Sequence, residues 1–431
     1  MTGKRTRRQI VSLGAAAVAL TVIGAACAPF GGAGSTGTSE TAAKTKAPVK
    51  LRFSSWGTRD WGHEGIIERF KQKNPHVVEV QIEDGGPFVD YRVKLLNQIA
   101  TDDVADVPTV GGQWYLEMVG TGAMIKLDSY VQQEQKRRPD FYLPKVPAEI
   151  MDKGKVQGAL YGLPYLADTG LLFVNESLFR DRGQALPPAD WNDARWTWET
   201  ALERARAVTN PGASGGGTFG FFLNDTLLCD WASTVYQRGG DVLSPDRKGF
   251  ALDKPEAYEP IQWRADLRLR HQVAATADEV RNGATFESGR IGMHIAWASL
   301  GARYQGQNLP FDWNVYPLPR WRKQTAYFHN AWTPVAKRSQ APDAAWDLAS
   351  YFSGPEGQGV LNPLVPAGER PKNAAGANNA LKFIQPGASL YVPRWPEVQA
   401  TINRGINEVM GGQRTAKDAF STLKQQVEIL L

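Results

Sequence analysis

Cysteine is nearly missing from this 431-residue chain: there are two, Cys27 and Cys229. No CxxC and no Cys/His cluster offers a metal site, and none is expected. With Cys27 spoken for by the export signal described below, Cys229 has no partner. It reads as a small buried apolar residue rather than a nucleophile or half of a disulfide. Histidine is scarce as well: His63, His76, His271, His294 and His329 show no HExxH spacing. No apolar run has the roughly 20 strongly apolar residues of a membrane-spanning helix. Excess charge is also small. The formal net charge is +5, but Lys4, Arg5, Arg7 and Arg8 fall within the first 27 residues, which contain no acid, so the remainder carries +1. Such a balance gives no reason to expect a nucleic acid or other polyanion as partner. Lys136-Arg137-Arg138 reads as a solvated helix face.

Catalytic signatures are thin in the same way. Gly212-Ala213-Ser214-Gly215-Gly216 fits GxSxG in its letters. A nucleophile elbow needs a strand before it, whereas this run follows a helix that ends near Asn210-Pro211. Cleft carboxylates can resemble a glycosidase pair, but a sequence does not give their separation. The expectation is a protein that is not an enzyme, with no catalytic residues and no cofactor.

The N-terminus is an address. Residues 1–27 have a basic start, an apolar stretch of ~17 residues from Ile10 to Ala26, and then Cys27, a pattern that suits a signal peptide. Gly24-Ala25-Ala26-Cys27 resembles a lipobox, which would make Cys27 the lipid attachment point. Arg7-Arg8 also fits a twin-arginine signal, so the residues leave both export routes open. Residues 28–48, rich in Gly, Ser, Thr, Ala and Pro, read as a flexible tether of roughly 25 Å reach.

What the chain has in quantity is tryptophan, 14 residues of it. From Val49 onward strand and helix signals alternate. Val49 to Phe53 alternates as a strand. Ile66, Ile67 and Phe70 mark a helix stopped by Asn74-Pro75, and Val78, Val80 and Ile82 mark a second strand. Leu171-Leu172-Phe173-Val174 is a strand and Trp198 to Val208 a helix. Tyr258, Ile261, Ala265 and Leu269 share a helical face, and Thr415 caps a last helix bearing Ala419, Leu423 and Val427. The fold class is α/β.

Ordered motifs then carry a resemblance. Gly158-Ala159-Leu160-Tyr161-Gly162-Leu163-Pro164-Tyr165 is followed by Leu172-Phe173-Val174-Asn175-Glu176-Ser177-Leu178-Phe179. Further along come Pro187-Pro188 with Trp191 and Trp196-Thr197-Trp198, then Gly239-Gly240-Asp241, then Phe286 to Met293, then Ala344-Ala345-Trp346 with Ser353-Gly354-Pro355-Glu356. In this order they resemble family 1 extracellular solute-binding proteins, the maltose-binding-protein-like group. Phe173 and Gly292 depart from that pattern, where tyrosine and alanine are common.

The resemblance implies a periplasmic-binding-protein type II fold: two α/β lobes, a multi-crossing hinge and ligand in the cleft. By analogy the N-lobe is 49–166 plus 334–366 and the C-lobe 168–331 plus 369–431, with crossings near Ala167, Trp332 and Ala367. It implies a carbohydrate ligand, ABC permease subunits as partners, a membrane held through lipid on the outer face of the cytoplasmic membrane, and a monomer. The same fold binding a non-sugar solute or serving as a ligand sensor stays open, and behind these a glycan-active enzyme.

A sugar offers apolar faces ringed by hydroxyls, so its site needs aromatic platforms and planar polar groups at strand ends. The candidate platforms are Trp56, Trp114, Tyr165, Trp231, Trp297, Trp332 and Trp395. The candidate polar partners are Asp84, Gln113, Asp168, Asn224 and Arg370; Asp230 is weighed with them and reads equally as a helix cap. On this reading Trp297→Ala and Trp332→Ala each weaken sugar binding.

Overall fold

A computed structural model describes residues 47–57, 62–146, 148–212, 216–361, 383–386 and 392–431. Its strands are β1 (Val49–Ser55), β2 (Val77–Asp84), β3 (Val107–Pro108), β4 (Val110–Gly111), β5 (Lys155–Val156), β6 (Ala159–Leu160) and β7 (Gly162–Asn175), followed by β8 (Phe219–Phe222), β9 (Ile291–Trp297), β10 (Trp313–Tyr316), β11 (Ala326–Pro334) and β12 (Ile384–Pro386).

The first sheet is parallel, in the order β2-β1-β3, and it carries one apolar core. Leu51 and Phe53 point into that core, and the helix His63–Lys73 covers it with Ile66, Ile67 and Phe70. The helix stops where the Asn74 side chain turns back to donate to the Phe70 carbonyl at 3.0 Å, ahead of Pro75, which cannot continue it. Helix Pro342–Ser353 returns from far along the chain to supply Ala345, Leu348 and Phe352 to the same core.

The second sheet runs β12-β11-β7-β9-β8, with β10 also paired to β7 and β4 to β11. It is buried on both faces. Leu172 and Val174 enter one apolar cluster, Leu171 and Phe173 the other, and so the 171–174 run is continuously apolar rather than alternating. The first cluster is completed by the two last helices, Trp395–Met410 and Ala416–Glu428. Thr415 opens the second of these by accepting from the Asp418 amide at 3.2 Å.

Two strands belong to both bodies. β7 gives Leu163, Tyr165 and Leu166 to the first core and Leu172 and Val174 to the second. β11, antiparallel to it, gives Ala326 and Tyr327 to the second core and Ala331 and Trp332 to the first. Asn330 faces Ala167 in this ladder, and the register shifts between Ala331 and Trp332. The third crossing, expected near Ala367, lies outside the described residues.

One helical face differs from the expectation. In Pro255–Leu269, Ile261 and Ala265 are buried as anticipated, but Leu269 is exposed and Arg264 is buried in its stead. A charged side chain occupies the core there because Asp230, fully buried, lies 2.8 Å from its Nη2.

Candidate functional site

A cavity of about 510 Å³ opens between the two cores. From the first body come Trp56, at the end of β1, Phe88 and Arg92 from the helix Phe88–Ala100, and Gln113 and Trp114 from the turn after β4. The shared strands supply Leu166, Asp168 and His329. The second body supplies Thr226, Leu227, Leu228, Trp297 and Ser299, and one face of the helix Trp395–Met410 adds Pro396, Gln399, Ala400 and Asn403.

The aromatic side of this cavity is a built surface. Trp56 stands edge-on to Phe88, with centroids 5.0 Å apart, and Phe88 lies 5.3 Å from Trp114. Across the strands Trp297 packs 5.5 Å from His329. Burial pushes the His329 ring down to about 4, so it is neutral at physiological pH.

Two charges line the wall. Arg92 is neutralised by a forked pair to Glu117, at 2.9 and 2.6 Å. Asp168 has no ion pair among the described residues; its Oδ1 accepts from the amides of Thr169 at 2.8 Å and Ser299 at 3.3 Å. Burial pushes its carboxyl up to about 6, while the Ser299 side chain and the neighbouring amides pull it back. Gly170, two residues on, lets β7 approach the helix Leu228–Arg238: a Cβ there would stand 2.8 Å from the Cys229 carbonyl.

A prediction follows from the Asp168 titration. The folded value of about 6 lies above the ordinary 3.8, so between them the folded state holds a proton that the unfolded chain releases. Stability therefore falls as pH rises through about 6; the penalty is full above that and absent below 3.8. Asp168→Asn is expected to stabilise the ligand-free protein at pH 8 by up to about 3 kcal/mol and to lose that advantage near pH 4. Urea denaturation at both pH values measures it, and an equal difference at both would refute the assignment.

Of the residues singled out from the sequence, the structure brings Trp56, Gln113, Trp114, Asp168 and Trp297 together on the cavity wall. Others are corrected as to place. Tyr165, Trp231, Trp332 and Trp395 are core residues with no exposed ring face. The Tyr165 hydroxyl is taken up by His63 and, at 3.4 Å, by Ser55. Trp332 turns into the first core beside Tyr115, 5.3 Å away. The Trp332 ring does not reach the cavity wall, so the expectation that it stacks on a ligand is withdrawn. Asn224 stands behind the wall, donating its amide to Asp230 at 3.0 Å, and Asp84 is exposed, closing a turn by accepting from Gly86 at 2.9 Å. Asp230 is paired with Arg264 rather than serving as a solvent-facing cap. Cys229 is buried and its thiol is pushed up by burial. Arg370 and Cys27 lie outside the described residues.

The sequence reading missed the contribution of the last helices. Pro396, Gln399, Ala400 and Asn403 recur at helical spacing opposite the apolar Val398, Ile402, Ile406 and Val409. That polar-and-small stripe was the available signal. Asn403 Oδ1 and Trp114 Nε1 are both buried and have no hydrogen-bond partner among the described residues. Each is costly to leave unmet in a dry site.

Residues 57–359 match the family described as "Bacterial extracellular solute-binding protein". A protein of Brucella abortus described as a binding protein is 24% identical over 309 residues, 67% of this chain and 70% of that one. Among solved structures, the Listeria monocytogenes ABC substrate-binding protein in complex with cycloalternan superposes with a TM-score of 0.77 at 20% identity, covering 89% of this chain and 98% of that one. The sugar-binding protein MalE of Xanthomonas citri superposes at 0.71 with 18% identity, covering 89% and 97%. These likenesses fit a two-lobed type II solute-binding fold with the cavity between the lobes.

Proposed function

Because the chain belongs to the bacterial extracellular solute-binding protein family, we propose that its cleft captures a short oligosaccharide and presents it to an ABC importer. The observation that carries this reading is a single cavity lined both by the aromatic side chains of Trp56, Phe88 and Trp297 and by the polar side chain of Asn403. A hydroxyl both donates and accepts, and a sugar ring brings several of them around an apolar face. Asp168 and the side-chain amides of Gln113 and Gln399 offer further planar partners. A cavity of about 510 Å³ falls in the range that encloses most of a small solute.

The lobes close by bending β7 and β11 where they pass between the cores, and the bulge at Ala331/Trp332 is the natural place for that bend. The protein binds without turnover. Lipid on Cys27 holds it at the outer face of the membrane; intact-mass analysis of the membrane-extracted protein checks that attachment.

The test is titration of the purified protein with a panel of mono- and oligosaccharides by calorimetry, with melting temperature followed in parallel. One sugar class is expected to saturate one site and to raise the melting temperature, and the sugar is expected back unaltered by mass spectrometry. Trp297→Ala is expected to weaken that binding by ~1–3 kcal/mol, the scale of losing an aromatic platform. Silence across the panel from folded protein ends the carbohydrate reading.

A further inference from the structure

The cavity wall from Asn224 is an irregular turn that runs into Leu228, the first residue of the helix Leu228–Arg238, and three consecutive residues, Thr226, Leu227 and Leu228, line the solute site. Something must fix its course, and the fixing groups come from behind. Helix Pro255–Leu269 carries Arg264 and Arg268 one turn apart on the side toward this loop. Arg268 grips Asp225 with both prongs, Nη1 to Oδ2 at 2.9 Å and Nη2 to Oδ1 at 3.0 Å. Arg264 Nη2 lies 2.8 Å from Asp230 Oδ2, and the same oxygen accepts the Asn224 amide at 3.0 Å. The loop is therefore tied at both ends to a single helix. Inside it, the Leu227 amide donates to the Asn224 carbonyl at 3.2 Å.

Arg268 does more than hold one wall. Its Nη1 also reaches the Met410 carbonyl at 3.4 Å, and its Nε the Ala275 carbonyl at 3.2 Å. Met410 ends the helix whose earlier turns place Gln399 and Asn403 on the cavity. One guanidinium thus sets two walls against each other, although Arg268 does not itself line the cavity.

We propose that Arg268 is a positioning residue of the solute site, fixing the register of the 224–228 loop against the helix Trp395–Met410 and so setting affinity from outside the cavity. The claim rests on the reading that this cavity is the solute site. The planar fork is what the role requires, because it fixes orientation as well as distance; a lysine keeps the charge but points it at one oxygen only.

The experiment compares Arg268→Gln and Arg268→Lys with Arg270→Gln in the whole protein. Arg270 follows the last residue of the same helix, and its exposed side chain pairs with Asp266, 3.0 Å away. The first readout needs no ligand. Amide exchange at Asn224 and Leu227 is expected to quicken about tenfold in Arg268→Gln and to stay at the wild-type rate in Arg270→Gln. The second readout is the dissociation constant for maltotriose at a temperature well below melting. It is expected to rise about tenfold in Arg268→Gln with one site per chain retained, and Arg268→Lys is expected to fall between.

A merely structural arginine would lower the melting temperature and leave both readouts of the folded protein where they were; that result overturns the proposal. If wild type ignores maltotriose and every other panel sugar, the carbohydrate reading falls. The exchange comparison then decides the role of Arg268 alone: equal rates in Arg268→Gln and Arg270→Gln overturn it, and a selective rise upholds it.

Discussion

Trp332→Ala is expected to destabilise the protein by about 3–5 kcal/mol while leaving the solute affinity of the folded form unchanged. The indole is fully buried in the first core. Its ring packs so closely on Gly154 that a Cβ there would come within 2.6 Å of it, and a Cβ at Gly162 would stand 2.9 Å from the Trp332 Cβ. Tyr115 closes a third side and itself donates to the Gly154 carbonyl at 2.9 Å. Backbone this near the ring cannot collapse into the space left by alanine, so the loss includes a large unfilled cavity. The Trp332 Nε1 has no hydrogen-bond partner among the described residues, so none between them is lost to confuse the reading. Urea titration gives the stability and calorimetry the affinity. A weakened dissociation constant at full stability would put the residue back in the site.

Arg264→Met is expected to cost about 3–5 kcal/mol at pH 8, because it strands the Asp230 charge inside the second core. Asp230 is held at about 6 by two opposed causes: burial raises it, and Arg264 chiefly pulls it down. Without the arginine the folded value climbs further. The stranded carboxylate then takes up a proton as pH falls, and the damage shrinks toward pH 5. Adding Asp230→Asn to Arg264→Met is expected to return part of the loss at pH 8, since the buried charge is gone. A penalty equal at pH 5 and pH 8, and untouched by the second substitution, would mean the pair is not the source.

The alternation of strands and helices, the Asn74-Pro75 stop, the Thr415 cap and the doubly buried 171–174 run are local facts, and the chain displays them in its letters. The ordered motifs carried the two-lobed architecture. The site was half legible for a physical reason. A tryptophan's place at a strand end says that it is near the cleft, but one step along a strand reverses the face it presents. On β11 the cavity takes His329, while Trp332 goes into the core. In the same way Trp395 anchors its helix, and the cavity receives Gln399 and Asn403 from the turns that follow. Arg264 escaped notice because a charge at a core-facing position makes sense only when its partner, 34 positions earlier in the sequence, is known to face it.

The sharing of β7 and β11 between the two bodies has a consequence for synthesis. The first core needs Leu51 and also Phe352; the second needs Leu172 and also Val427. A ribosome that has reached Tyr316 has produced most of the chain and neither finished core, because β11 and everything that packs behind it are still to come. Both cores thus close only on contacts between residues far apart in the sequence, the kind that forms slowly.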